Sequence, residues 1–282
     1  MATALLPDVA AATSRLPSVV PLSVVIPTLN EADRIGPLLA ELDWVHEVIV
    51  VDGGSTDRTA SIAETLGATV LHRPGVSIGA QRNAGIERAT SEWVLALDAD
   101  ERVSPELRAE MASRLPSAAN VDCFTIRFRE FYLGRELTKG ANGRSFKPRL
   151  FRQRYRFTEV RAHERLEPVE RSEPLEGTIL HTSCRDFRDQ LRKVVLYSQW
   201  AADDLYAKGR RTRFRDLAFR PVWRFFRDYV LWGSWRGGSL AFLLTALSAF
   251  SVFLKYAMLW MRHDAEQRGA APPRITADQF RA

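Results

Sequence analysis

Two carboxylates, Asp98 and Asp100, stand two positions apart at the end of the apolar run 93–97. Side by side and unpaired they would repel and be costly to desolvate, a penalty that a divalent cation relieves. Ligation by oxygen alone suits Mg2+ or Mn2+ shared with phosphate oxygens. The competing reading of the same pair is a solvated strand end that caps the helix after it. Two other apolar runs end on polar groups: Pro27, Thr28, Asn30 and Glu31 follow the first, and Asp52 follows the second. No loop has the GxGxxG spacing of a dinucleotide fold or the GxxxxGK[ST] of an NTP-cleaving loop, which disfavours both classes. Cys123 and Cys184 supply neither a disulfide framework nor clustered metal ligands.

Elements must hold these groups together, and the pattern supplies them. Residues 22–27 form a β-branched run ended by proline, the mark of a strand entering a loop. Asn30 then offers an N-cap before Ile35, Leu38, Leu39 and Leu42 at helical spacing. Residues 46–51 read as a strand buried on both faces, 69–71 as a third strand, 78–89 as a helix and 93–97 as a fourth strand. Strand and helix alternate about every 25 residues, which predicts an α/β parallel sheet with its working loops at the carboxyl ends of the strands. From Val121 the rhythm changes. Residues 122–133 and 144–152 read as strands of a β-rich half, and 186–207 as a helix.

The chain has 282 residues, 46% hydrophobic and 26% charged, enough for one large domain with an appendage. Its net charge of +6 is local, because residues 208–227 hold eight Lys/Arg against a single Asp. A diffuse nucleic-acid surface is therefore excluded in favour of one basic segment. Residues 1–21 lack a basic n-region before an apolar run and are read as a leader, not a signal peptide.

The order and spacing of four blocks carry more than any one of them. Ser23-Val-Val-Ile-Pro-Thr-Leu-Asn-Glu31, Val50-Val-Asp-Gly-Gly-Ser-Thr-Asp-Arg-Thr59, Gly79-Ala-Gln-Arg-Asn-Ala-Gly85 and Trp93-Val-Leu-Ala-Leu-Asp-Ala-Asp100 together resemble the family 2 glycosyltransferases over residues 22–115. Downstream, Lys147-Pro-Arg-Leu-Phe-Arg152, Ala162-His-Glu164 and Leu180-His-Thr-Ser183 resemble the branch that adds a sugar to lipopolysaccharide core or related surface glycans. The resemblance implies a GT-A fold, a mixed and mainly parallel sheet with flanking helices. Residues 22–115 would be its nucleotide-sugar half and 116–207 its acceptor half. It implies that Pro27, Thr28, Asn30 and Glu31 line the nucleoside pocket, that Asp52 accepts from the uracil ring and that Arg82 faces the nucleotide. Asp98 and Asp100 match the DXD pair, which would hold Mg2+ or Mn2+ on the donor diphosphate, Asp100 being the more direct ligand. Asp98 would also contact the donor. Gly53 departs from the pattern, since many members carry a second Asp there. Asp57 is read as structural, because a carboxylate in a helix's first turn complements the dipole whatever the function.

Transfer to a hydroxyl needs a base as the bond to diphosphate breaks. Family 2 members invert the anomeric centre, so one base suffices; the matching position is Glu164, with His163 beside it to orient it or approach the diphosphate. Glu159 and Asp122 are reserves, and His181 is either a core histidine or part of the site's lining. The Gln-x-x-Arg-Trp element of processive synthases is absent, which favours single addition.

Residues 208–262 have a composition of their own. Cations alternate with large rings up to Arg227, and 237–254 then run without a charge, the threshold length for a membrane span. Thr245, Ser248, Ser251, Lys255 and Arg262 share one arc of a helical wheel opposite Phe242, Leu243, Phe250, Phe253, Leu254 and Trp260. That division predicts a helix lying in an anionic membrane surface, with a single span or a helix packed on protein as alternatives. Residues 263–282 form a polar tail. The expected protein is thus a peripheral or monotopic, metal-dependent glycosyltransferase at the cytoplasmic face of the inner membrane. It would take a nucleotide-diphospho-sugar, expected to be a UDP-sugar, and a lipopolysaccharide-core or lipid-linked glycan acceptor. A polyprenyl-phosphate glycosyltransferase and a non-catalytic sugar-nucleotide binder are the alternatives. A nucleotidyltransferase is disfavoured, because 27–31 lack a Gly-rich basic loop.

Overall fold

The structure, a computed structural model, describes residues 19–137, 146–159 and 164–270. They fall in two compact units, one drawn from Met1–Arg129 and Arg144–Thr182, the other from Glu130–Gly143 and Ser183–Ala282.

The first unit is built on strands β1 (Val20–Thr28), β2 (Val45–Asp52), β3 (Thr69–His72) and β4 (Trp93–Ala96), parallel in the order β3-β2-β1-β4. Helices α1 (Ala32–Ala40), α2 (Thr59–Thr65) and α3 (Ile78–Arg88) connect them. Neighbouring residues of β1 point into different cores. Val24 and Ile26 pack with Ile35 and Leu38 of α1 on one face, whereas Val25 packs with Ile86 of α3 on the other. A strand covered on both sides has no position for a polar residue until it ends, so the polar groups gather at its carboxyl end.

Beyond β4 the sheet turns antiparallel. Strand β5 (Glu101–Val103) and helix α4 (Pro105–Arg114) precede β6 (Cys123–Tyr132), short β7 (Arg135–Glu136), β8 (Phe146–Arg152) and β9 (Ser172–Thr182). The strand order continues β4-β8-β6-β9-β5, with β8 antiparallel to β4 and Leu95 opposite Leu150. This mixed sheet with flanking helices is the expected GT-A architecture. Strand β9 has no counterpart in the sequence reading, because its exposed first half masks the apolar run at Gly177–Leu180.

One local expectation needs correction. Asn30 does not cap α1. It takes a left-handed φ of 57°, and its Oδ1 accepts from the Thr56 N–H at 2.8 Å. The N–H groups at the start of α1 donate instead to the second loop, Glu31 to Thr59 Oγ1 at 2.8 Å and Ala32 to Asp57 Oδ2 at 3.2 Å. Asp57 lies before the N-cap Arg58 and not in the first turn of α2, so its structural role comes from these bonds, Oδ1 also accepting from the Thr59 N–H at 2.9 Å.

The second unit holds α5 (Phe187–Ala207), α6 (Phe214–Phe226) and α7 (Gly238–Gln267). Asp186 caps α5 as a free-standing N-cap, accepting from the Asp189 N–H at 2.7 Å. Ala202 of α5 shares a core with Tyr256 and Leu259 of α7. The polar arc of α7 is turned toward its neighbours. Ser198 donates to the Ser251 carbonyl at 3.0 Å, Arg262 pairs with Asp203 at 2.9 Å, and Thr245 is buried. The apolar arc faces outward, with Phe242, Phe250, Phe253, Trp260 and Met261 exposed. Phe214, Phe219, Trp223, Trp232 and Trp235 are exposed in the segment before it. The stretch Ser234–Gln267 is long and apolar enough to cross a membrane, by length and composition.

Candidate active site

The ends of the parallel strands meet because the sheet registers them. Pro27 lies opposite Val51 and Thr28 opposite Asp52, and the Gly53 N–H donates to the Thr28 carbonyl at 2.8 Å. Asp52 is 2% exposed, and its carboxylate is taken up by its own turn, accepting from the N–H groups of Gly54 and Ser55 at 3.2 and 3.0 Å. It therefore shapes the loop that presents Asn30 and Ser55, which are bonded through the Asn30 N–H at 2.9 Å. Gly53 lies close to α3. A Cβ there would stand 2.8 Å from the Gln81 amide nitrogen, the end of a side chain, and 3.2 Å from the Thr28 carbonyl, so a larger residue at 53 would require Gln81 to shift.

Helix α3 starts beneath the loop 157–159. A Cβ on Gly79 would fall 2.2 Å from the Thr158 carbonyl, and Asn83 is doubly bonded to the Phe157 backbone at 2.8 and 2.9 Å. That contact fixes Arg82, which is 4% exposed and lies over the Phe157 ring at 5.0 Å. Its guanidinium donates to Asp98 Oδ1 at 2.6 Å and to Glu164 Oε1 at 2.5 Å. Residues from the third and fourth blocks and the candidate base are thus joined through one side chain. Glu159 bonds Asn83 at 3.1 Å, one residue from Arg82. Asp122 is not brought there. It precedes β6 beside the amino end of β4, where Arg154 and Arg171 hold it and keep its carboxyl below the usual range. His163 lies outside the described residues.

Asp98 and Asp100 differ in their commitments. Asp98 gives Oδ1 to Arg82 and Oδ2 to Arg149 at 3.0 Å; those guanidinium groups outweigh desolvation and hold its carboxyl far below the usual range. Asp100 has longer contacts, Arg34 at 3.5 Å and His181 at 3.6 Å, which lower it in spite of burial. Glu101 is 1% exposed and bonded to Arg149 at 2.8 Å, and burial pushes it up to about 7. The cluster sets Arg34, Arg82 and Arg149 against Glu31, Asp98, Asp100 and Glu164, with Glu101 as a further carboxyl raised by burial, so acidic groups outnumber guanidinium groups. Among the described residues no group of three or more His, Cys, Asp or Glu side chains suits a metal ion. Mg2+ and Mn2+ sites of one or two carboxylates completed by phosphate and water need no such group. An all-oxygen pair within an anionic cluster fits a divalent cation, with Asp100 the less committed donor.

Sequence reasoning missed Arg34, Glu101 and Arg149. Arg149 lies in the quoted block 147–152, but an arginine within a strand has no visible chemistry until antiparallel pairing sets it beside the end of β4.

Comparison with known proteins gives the class of this α/β chain. The model of the family "Glycosyl transferase family 2" matches residues 23–164, half of the chain, and the protein belongs to that family. The lipopolysaccharide core biosynthesis glycosyltransferase LpsC of Rhizobium meliloti is 28% identical over 257 residues, covering 88% of this chain and 95% of LpsC. An uncharacterized glycosyltransferase of Rickettsia typhi is also 28% identical, over 84% of this chain and 86% of its own. Among solved structures, S. aureus TarS 1-349 aligns over 91% of this chain and 94% of its own at 18% identity, with a TM-score of 0.46. Glucosyl-3-phosphoglycerate synthase of Mycobacterium tuberculosis, solved with Mn2+ and UDP, aligns over 39% of this chain and 43% of its own at 25% identity, with a TM-score of 0.32.

Proposed function

We propose that the protein is an inverting, metal-dependent transferase that moves one sugar from a nucleotide-diphospho-sugar, a UDP-sugar in the first instance, to a hydroxyl of a lipopolysaccharide-core or lipid-linked glycan. The observation that carries the reading is the Asp98–Arg82–Glu164 connection, which ties the DXD strand end to a carboxylate suited to act as base. Membership of family 2 and similarity to LpsC support the reaction and the acceptor class.

In this reading Pro27, Thr28, Asn30 and Glu31 line the nucleoside pocket, with Asp52 fixing its loop. Asp100 and Asp98 would hold Mg2+ or Mn2+, which supplies compensation for charge on the leaving diphosphate. Arg82 faces the nucleotide and orients Glu164. The Glu164 carboxylate accepts the proton of the acceptor hydroxyl as that oxygen attacks the anomeric carbon from the face opposite the diphosphate. A nucleoside diphosphate leaves and the configuration inverts.

The second unit brings this chemistry to a lipid-borne acceptor. Its outward rings and the basic segment 208–227 suit an anionic membrane surface, with α7 lying in the interface. The inward turn of the α7 polar arc supports that orientation. Asp216 and Asp228 pair with Arg220, Arg224 and Arg227, so part of the segment's positive charge is neutralised within the protein. The test is transfer of labelled sugar from UDP- and GDP-sugars to deacylated and intact lipopolysaccharide core, with and without Mn2+. Transfer should need the cation and favour the intact lipid form. Full-length protein that fails to sediment with anionic vesicles would remove the membrane part of the reading.

A further inference from the structure

Five side chains in the first unit alternate in sign along one connected path, Glu101, Arg149, Asp98, Arg82 and Glu164, with every link between 2.5 and 3.0 Å. The two at the start of this path have no part in the transfer chemistry described above. Glu101 begins β5 and Arg149 lies in β8, and both are buried. A buried ion pair contributes little net stability compared with apolar residues of the same volume, so its presence beside the strand end calls for another account. Glu101 divides its two oxygens. Oε1 accepts from Arg149 Nη2, and Oε2 accepts from the Asp98 backbone N–H at 2.9 Å. The same Arg149 nitrogen donates to Asp98 Oδ2. Asp98 is therefore held at its backbone by Glu101 and at its carboxylate by Arg149, a hold on two points that removes its rotational freedom.

We propose that Glu101 and Arg149 are positioning residues that fix the Asp98 carboxylate for the cation and diphosphate, and through Arg82 set the Glu164 carboxylate. The proposal rests on the nucleotide-sugar reading of the site. Arg149 does not itself move to the donor, because its Nη2 is held between Asp98 and Glu101. Its action is on geometry, where displacement of a reacting group by about 1 Å costs on the order of 10²-fold in rate.

The test is calorimetric titration of full-length protein with UDP, GDP and CDP, in EDTA and in MnCl2. In the wild type Mn2+ should raise affinity for one of the three. Arg149→Met should lose about tenfold of that gain while binding in EDTA stays within about twofold, and Arg149→Lys should recover part of it. Steady-state kinetics with the matching sugar donor should show a fall in kcat for Arg149→Met as well as a rise in donor KM. Glu101→Gln, which keeps volume and shape, carries the same expectation if Arg149→Met does not fold. An unchanged Mn2+ gain in a folded variant overturns the proposal, as does an equal loss with and without the cation. Failure of the wild type to bind any of the three nucleotides would instead bring down the functional reading on which the proposal rests.

Discussion

Arg82→Met is the most informative single change, because Arg82 bonds both Asp98 and Glu164. The substitution keeps most of the volume over Phe157 and removes only the charge and its donors. Removing one partner of a buried pair costs about 3–5 kcal/mol, since the other charge is left uncompensated. Two features place this case at the low end. Asp98 keeps its bond to Arg149, and the Asp98 and Glu164 side chains retain 30% and 16% of their exposure. The loss of the cation–π contact adds back about 0.5–1 kcal/mol. A destabilisation of about 3.5–4 kcal/mol follows, which at roughly 2–4 °C per kcal/mol lowers Tm by about 7–16 °C. The assay is scanning calorimetry at neutral pH on Arg82→Met, Glu164→Gln and the double variant. Because Glu164→Gln removes one of the stranded charges, the double variant should be more stable than the sum of the singles by about 1 kcal/mol. A Tm within 2 °C of wild type for Arg82→Met, or strict additivity, would refute the reasoning.

Glu164→Gln should retain donor affinity while turnover falls by roughly 10²–10⁴-fold; near-normal turnover would move the base to Glu159, which bonds Asn83 beside Arg82. Gly53→Ala should destabilise by about 1 kcal/mol, the low end for overpacking, because the Gln81 amide is the end of a side chain that can shift; a loss above about 3 kcal/mol in denaturant melts would contradict this. The Cys123 thiol, buried and pushed up to about 12 by that burial, should resist thiol-specific labelling at pH 8 until the protein unfolds. Labelling of native Cys123 within minutes, followed by mass spectrometry, would contradict the packing described for β6.

The parallel part of the sheet was largely legible because its signals are local. An apolar run such as Val48–Val51 buried on both faces has one interpretation, and the strand it forms extends only a residue beyond the reading at either end. Asp98 and Asp100 were legible as a pair because their spacing is short. What stayed hidden depends on pairing between distant segments. Arg149 becomes a neighbour of Asp98 only through the antiparallel β4–β8 register, and no spacing encodes that. Asn30 had the sequence of an N-cap, but the Asp57 and Thr59 side chains of the next loop reach α1 first, and Asn30 turns to Thr56. The helix at 187–207, grouped by sequence with the acceptor half, shares its core with α7 instead. Its amphipathic pattern identifies a buried face without saying which element covers it.

The central claim is that the strand ends bind a nucleotide-diphospho-sugar through a cation held by the DXD carboxylates and activate it for transfer. It is tested most directly by nucleoside-diphosphate release from a panel of UDP- and GDP-sugars, with and without Mn2+, in wild type and Asp100→Asn. One donor class should support release that EDTA abolishes and that Asp100→Asn lowers by at least about 10²-fold in a protein with unchanged Tm. Release that is indifferent both to the chelator and to Asp100→Asn would contradict the account.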